Sequence, residues 1–312
     1  MFGFLQNRPY SIGVDLSNDC VRLAQLADNK DGTALVAARR LNKPDDVKSG
    51  SAQWQRWAID ILREATGNGQ FRGKEVVAAI PANDVFVDHV RISKAGDGKI
   101  EDVIFSKIKQ KLPFEPVREN VMMKHIATGP ESFLVMATER KIIERHLAIY
   151  EKAGLTIKSI GAWPMALANC YVRFFGRRKS DVNAVVMLLD IQPDCTNLLI
   201  TRHRDPLFAG SIPIGAGQLA DESTLARLVF ELTGCRRNFV SLHKDAHIER
   251  LIFLSGLAVN PEIYRAIAKQ LEMQAQMGDC LAAVECADPQ DCGVDRRNGK
   301  VSWATAFGLS IS

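Results

Sequence analysis

Two stretches of the chain carry the same short pattern around an aspartate. Val14-Asp15-Leu16-Ser17-Asn18-Asp19-Cys20-Val21-Arg22-Leu23 and Leu189-Asp190-Ile191-Gln192-Pro193-Asp194-Cys195-Thr196-Asn197-Leu198 both read apolar-Asp-apolar, two turn residues, Asp-Cys, and an apolar residue after two more. Each reads as a strand ending near an Asp, a tight polar turn and a returning strand. Successive backbone N–H groups in such a turn form an anion-binding concavity, so two turns facing one cleft could grip a phosphate chain. The match spans ten positions and the strand patterns after both copies agree, which favours duplication over two unrelated hairpins.

Other reactive side chains point to no metal chemistry. The seven cysteines are odd in number, scattered, and never in a C-x-x-C pair. Cys280, Cys286 and Cys292 are evenly spaced, but more widely than a zinc knuckle and without a nearby His. They read as free thiols of a reducing compartment. His243 and His247 stand four apart, as on one helix face, but Lys244-Asp245-Ala246 lacks the Glu that a zinc hydrolase places beside its first His. Both read as solvent-facing.

The elements that must position the two turns fit a chain of 312 residues, long enough for two domains with their own cores. A 46% hydrophobic and 24% charged composition is that of a soluble globular protein. A dispersed net charge of +4 argues against nucleic acid. No apolar run approaches the ~20 residues of a membrane span. Met1-Phe2-Gly3-Phe4-Leu5 is too short, and lacks the basic start, for a signal peptide. A cytoplasmic protein is expected.

Strands are predicted at Tyr10–Leu16, Cys20–Leu26 and Ala34–Leu41, then a helix capped by Ser51, then a buried strand Glu75–Ile80. Strand Val85–Ile92, a helical stripe from Ile100 to Leu112, strands Val121–Ala127 and Phe133–Thr138, and a helix over Ile142–Tyr150 follow as a small α+β insert. Leu155–Ile160 and a helix Pro164–Phe175 return to the first domain. The second half repeats three strands (Ala184–Asp190, Thr196–Arg202, Leu207–Pro213), helical sequence and a buried strand Leu251–Leu254. A helix near Pro261–Leu271, a strand at Leu281–Cys286 and a closing helix Trp303–Ile311 complete it. The class is α/β with two similar domains.

Ile12-Gly13-Val14-Asp15, Lys111-Leu112-Pro113-Phe114-Glu115-Pro116-Val117, Ala166-Leu167-Ala168-Asn169, Asp205-Pro206-Leu207-Phe208 with Ile212-Pro213-Ile214-Gly215, and Leu254-Ser255-Gly256 form an ordered set along nearly the whole chain. In order and spacing it resembles the type IV pilus assembly protein PilM family. The resemblance implies an actin-like, FtsA/PilM-type duplicated two-domain fold. Residues 8–80 and 161–180 would form subdomain 1A, 81–160 an inserted SHS2-type subdomain 1C, and 181–312 the second domain. The nucleotide roof of the family would be reduced to 216–250.

The resemblance also implies a nucleotide cleft. Asp15, Ser17, Asn18, Asp190, Thr196, Gly215 and Gly256 would be its nucleotide-side residues, with Asp15 and Asp190 holding Mg²⁺ through water. Several positions depart from the family. Its Asp-Ile-Gly-Ser first turn is Asp15-Leu16-Ser17-Asn18 here, and its Asp-Ile-Gly second turn is Asp190-Ile191-Gln192-Pro193. Glycine lets backbone approach a phosphate; Gln192 adds bulk and Pro193 has no N–H to donate. Leu257 replaces the last Gly of Ser-Gly-Gly, and Gly161 and Trp163 stand where the family carries acidic residues. Phosphoryl transfer depends on positioning, so no catalytic residue is assigned, hydrolysis is expected to be absent or very slow, and no resident cofactor is expected, ATP with Mg²⁺ being the alternative.

By resemblance, the expected role is a cytoplasmic scaffold of the pilus inner-membrane platform. It would dock the N-terminal tail of a PilN-like membrane protein in a groove between the insert and the first domain, and would meet the membrane only through that partner. Self-association is a further expectation. The alternatives are an active ATPase of pilus assembly and the actin-like component of a type II secretion platform. An FtsA-type tether would need a C-terminal amphipathic membrane helix, and Trp303–Ser310 reads instead as a packed helix.

Overall fold

A computed structural model describes residues 8–17, 19–29, 32–93, 99–286, 292–294 and 301–312. Apolar residues run almost unbroken through the first strands, as they must in a sheet covered on both faces. β1 (Ile12–Leu16) is buried throughout, and so are the first eight residues of β2 (Cys20–Asn29). With β3 (Gly32–Asn42) they form an antiparallel meander. Helix α1 (Ala52–Gly67) starts where the Ser51 hydroxyl accepts a hydrogen bond from Trp54 N at 3.1 Å. Its buried side is Trp54, Ala58, Leu62 and Ala65, at helical spacing. β4 (Glu75–Ile80) then pairs parallel with β1.

The chain leaves the sheet for a small unit. β5 (Phe86–Arg91), α2 (Ile100–Ile108), β6 (Val121–Ala127), β7 (Ser132–Glu139) and α3 (Arg140–Lys152) follow, the strands forming an antiparallel sheet in the order β5-β7-β6. α3 also leans on the first lobe: His146 meets Trp54 with ring centroids 6.1 Å apart, and Ile149 and Tyr150 join the core beneath α1. β8 (Thr156–Ala162) adds parallel to β4, and α4 (Trp163–Phe174) follows.

The second lobe repeats the scheme with β9 (Val185–Ile191), β10 (Thr196–Arg202), β11 (Asp205–Ile212), α5 (Glu222–Leu242), β12 (Ile248–Phe253), α6 (Pro261–Gln270) and β13 (Ala275–Met277). Its sheet runs β11-β10-β9-β12-β13. After β14 (Glu285–Cys286), α7 (Ala304–Ser310) ends the described chain. The first sheet runs β14-β3-β2-β1-β4-β8. Without β14, the two sheets share one order, a three-strand meander followed by two parallel strands. This is the duplicated two-lobed architecture, and the stretch expected to be a reduced roof is occupied by one main helix, α5.

Three differences from the sequence reading have physical reasons. The strand expected at 281–286 is two residues long and pairs with β3 of the first sheet. The fifth strand of the second sheet is Ala275–Met277, whose residues are all exposed and so show no apolar alternation. Residues 301–312, counted with the second domain on sequence, pack in the first lobe. There, α7 is buried along its whole length. A Cβ on Gly13 would lie 2.0 Å from Ala306 O, and one on Gly308 would lie 1.8 Å from Ala166 O, so β1 and α4 both touch α7 backbone to backbone.

His243, read as solvent-facing, is half-buried past the end of α5, with its ring 5.0 Å from that of Phe239 and Nε2 3.2 Å from Leu207 O. Among the described residues no helix is long and apolar enough to cross a membrane. None gather three His, Cys, Asp or Glu into a metal-sized group.

Candidate functional site

The two hairpins are equivalent in three dimensions. Asp15 stands opposite Arg22 in the β1–β2 ladder, and Asp190 opposite Asn197 in the β9–β10 ladder. Each turn closes on the same bond, Ser17 N to Cys20 O at 3.0 Å and Gln192 N to Cys195 O at 2.8 Å. Both turns face one cleft between the lobes, which Trp163 and Thr305 also line.

The first carboxylate is already partnered. Arg22 Nη1 donates to Asp15 Oδ2 at 2.9 Å and to Ser17 Oγ at 3.2 Å, and Arg22 Nη2 lies 3.8 Å from Asp19 Oδ2. Arg22 is 1% exposed. Burial works against its charge, and the groups around it, Cys20 with Asp15, Asp19 and Asp190, more than offset this and hold its pKa above the ordinary value. Burial raises the pKa of Asp15, and Arg22 opposes that rise.

The second carboxylate is deeper, with Asp190 fully buried. Gln192 Nε2 donates to its Oδ2 at 2.6 Å and Ser302 Oγ to its Oδ1 at 2.6 Å. Burial raises its pKa, and the bonds from Ser302 and Gln192, Arg22's charge and the Thr305 hydroxyl pull it back. Ser302 and Thr305 come from the segment entering α7, so the far end of the chain holds the second aspartate.

The remaining expected residues divide. Ser17 lines the cleft with Asp15, and Asn18 lies outside the described residues. Thr196 turns its hydroxyl away, donating to Ile214 O at 2.7 Å. Gly215 presses on the second turn, where a Cβ would meet Pro193 O at 2.3 Å. The following amides bond to that turn, Ala216 N to Gln192 O at 2.8 Å and Gly217 N to Pro193 O at 3.3 Å. Gly256 sits at φ +55° beside Asp279, with its carbonyl accepting from Tyr264 OH at 2.9 Å, and does not line the cleft. Leu257 is half exposed and does not line it either. Across the mouth, Asn83 Nδ2 donates to Asp194 Oδ2 at 3.2 Å and ties the lobes together. The cavity left has a volume of about 30 Å³, room for one or two waters.

A larger recess lies between the insert and the first lobe. Its volume is about 540 Å³, and its walls come from β6, β7 and α3 on one side and β4, β8 and α4 on the other. Met122, Met123, Met136, Met165, Ile143 and Ile160 give it an apolar lining, with Lys124 and Arg204 also at its wall. Two sheet edges border it. β6 is the outer strand of the three-stranded sheet and β8 the outer strand of the six-stranded one. Sequence reasoning placed a groove here without its residues, because its methionines lie on three separate elements.

The sequence matches no family model, and no curated protein sequence matches it. Solved structures match along nearly the whole chain. The PilM component of a "PilM-PilN type IV pilus biogenesis complex" is 17% identical over 97% of this chain and 98% of its own, with a TM-score of 0.75. The cytoplasmic domain of EpsL, an inner-membrane component of the Vibrio cholerae type II secretion system, is 12% identical over 95% and 94%, at 0.52. A Bacteroides thetaiotaomicron protein described as having the actin-like ATPase fold is 10% identical over 91% and 96%, at 0.50. The fold of this chain is the actin-like ATPase fold in its PilM-type form.

Proposed function

We propose that the chain is a docking scaffold whose groove takes an extended N-terminal tail of a PilN-like inner-membrane protein. It would work in the type IV pilus inner-membrane platform, in the cytoplasm and peripheral to the membrane through that partner. The observation that carries this reading is the groove of about 540 Å³ between two sheet edges, β6 and β8. An extended segment can add a strand to such an edge, with main-chain bonds supplying affinity and pockets for alternate side chains supplying specificity. Methionines adapt to varied apolar side chains. We read the inserted unit as an SHS2-type subdomain serving this role. The higher TM-score against the PilM structure than against EpsL, 0.75 against 0.52, favours a pilus platform over a secretion platform.

The same reading makes the interlobe cleft a pseudo-ATPase site. A nucleotide pocket is on the order of 300 Å³ or more, and the cleft holds about 30 Å³. A guanidinium sits on Asp15 where a hydrated cation would be held, and the amides after Gly215 are spent on the second turn. The residues present do not fit Mg-ATP, and no chemical step is assigned to them.

Fluorescence anisotropy with a labelled synthetic N-terminal tail peptide of a PilN-like inner-membrane protein tests the docking role. Saturable binding is expected, weakened at least tenfold by Met122→Asp on the β6 edge; a folded protein that retains no tail peptide overturns it. Calorimetric titration with Mg-ATP is expected to show no binding. Micromolar binding that disappears in Asp190→Ala would restore the ATPase reading.

A further inference from the structure

We propose that Cys286 and Cys292 are a redox-modification site, a thiol pair that closes reversibly to a disulfide on the edge of the first sheet. The two sulfurs are 2.7 Å apart, closer than non-bonded sulfurs usually stand. Backbone on both sides holds them there. Cys286 pairs with Leu35 of β3, and Cys292 O accepts from Ala38 N of the same strand at 3.0 Å. Gly293 then turns back at φ +75°, so close to β3 that a Cβ would lie 2.5 Å from Ala38 O. One strand therefore anchors both cysteines. Cys292 is buried at 5% exposure, while Cys286 is half-buried and so the more exposed of the two.

Glutathione disulfide is the oxidant class the site fits, and its reaction balances. The Cys286 thiolate attacks one sulfur of the oxidant, forming a mixed disulfide and expelling one glutathione. The Cys292 thiolate then attacks the Cys286 sulfur and expels the second. Two protein thiols lose two electrons and two protons, and two glutathione thiols gain them. Disulfides that form in a reducing compartment are usually transient and redox-sensing, and exchange requires such an accessible first thiol.

The folded chain is incubated with glutathione disulfide, alkylated, digested and read by mass spectrometry. The expected product is a 286–292 peptide lighter by two hydrogen atoms and protected from alkylation, restored by reduced glutathione. Cys292→Ser is expected to stop at a glutathione adduct on Cys286, and Cys286→Ser to leave Cys292 unmodified. If both thiols of the wild-type chain alkylate freely, if the adduct on Cys286 never resolves, or if protection falls on other cysteines instead, the proposal is wrong.

Discussion

Arg22 Nη1 donates to Asp15 Oδ2 at 2.9 Å from the facing position of the next strand, with both side chains almost wholly withdrawn from water. One buried cation thus serves an acidic turn, and its field reaches Asp190 across the cleft. A buried ion pair rarely adds net stability over an apolar replacement, but removing one partner strands the other charge. Arg22→Met is therefore expected to cost about 3–5 kcal/mol in urea unfolding. Adding Asp15→Leu should recover much of that loss. A single-variant cost below about 1 kcal/mol would show that Arg22 is not what balances the turn.

Asp190 gives a pH signature of known sign. Burial, the main cause, raises its folded-state pKa above the ordinary 3.8. A carboxylate with a raised folded pKa contributes stability that is complete below 3.8 and is lost as pH climbs through the folded value. Asp190→Asn should remove this downward slope, seen as a flatter plot of unfolding free energy against pH from about 4 upward. An unchanged slope in the variant would refute the assignment.

The opposite sign belongs to His89. It stacks on Phe208 of the second lobe at 4.0 Å and 3°, and its Nε2 accepts from Ala209 N at 3.2 Å, which places the proton on Nδ1. Burial lowers its pKa from 6.5 to about 4. Stability that depends on neutral His89 is therefore present above 6.5 and lost as pH falls through about 4. Lowering the pH from 7 to 4 should cost on the order of 2 kcal/mol through this residue. His89→Phe should lack that loss, and hydrogen exchange at the insert–lobe contact should rise with acid in the wild type alone.

Close backbone contact makes α7 intolerant of small additions. Gly308→Ala would drive a Cβ to 1.8 Å from Ala166 O, with backbone rather than a flexible side chain in the way. A loss of at least about 3 kcal/mol, or insoluble expression, is expected. Gly67→Ala, on the exposed end of α1 with nothing within 4 Å of the new Cβ, is the control and should be nearly neutral.

Strand periodicity, the Ser51 cap and the repeated hairpin made most of the architecture readable in the sequence, because each signal is local. Arg22 was readable in principle. A lone cation inside an apolar strand seven residues after Asp15 faces it across a four-residue turn, and the hairpin register alone makes that pair. Ser302 and Thr305 were not readable, since nothing local says that the chain running into the first turn of α7 reaches Asp190 in the other lobe. β13 escaped because a short exposed strand has no alternation to detect. The groove escaped residue by residue because Met122, Met136 and Met165 meet only after the insert has folded back on β8 and α4.

The burial of α7 in the first lobe has a consequence for biosynthesis. Leu26 N bonds to Ser310 Oγ, a partner 284 positions later in the chain, and Ser310 Oγ also reaches Ser11 O at 2.8 Å. As the polypeptide leaves the ribosome from its N-terminal end, β1 and β2 emerge long before the helix that covers them. The nascent first lobe keeps an uncovered apolar flank while the entire second lobe is translated, so this half of the molecule matures last although it is made first.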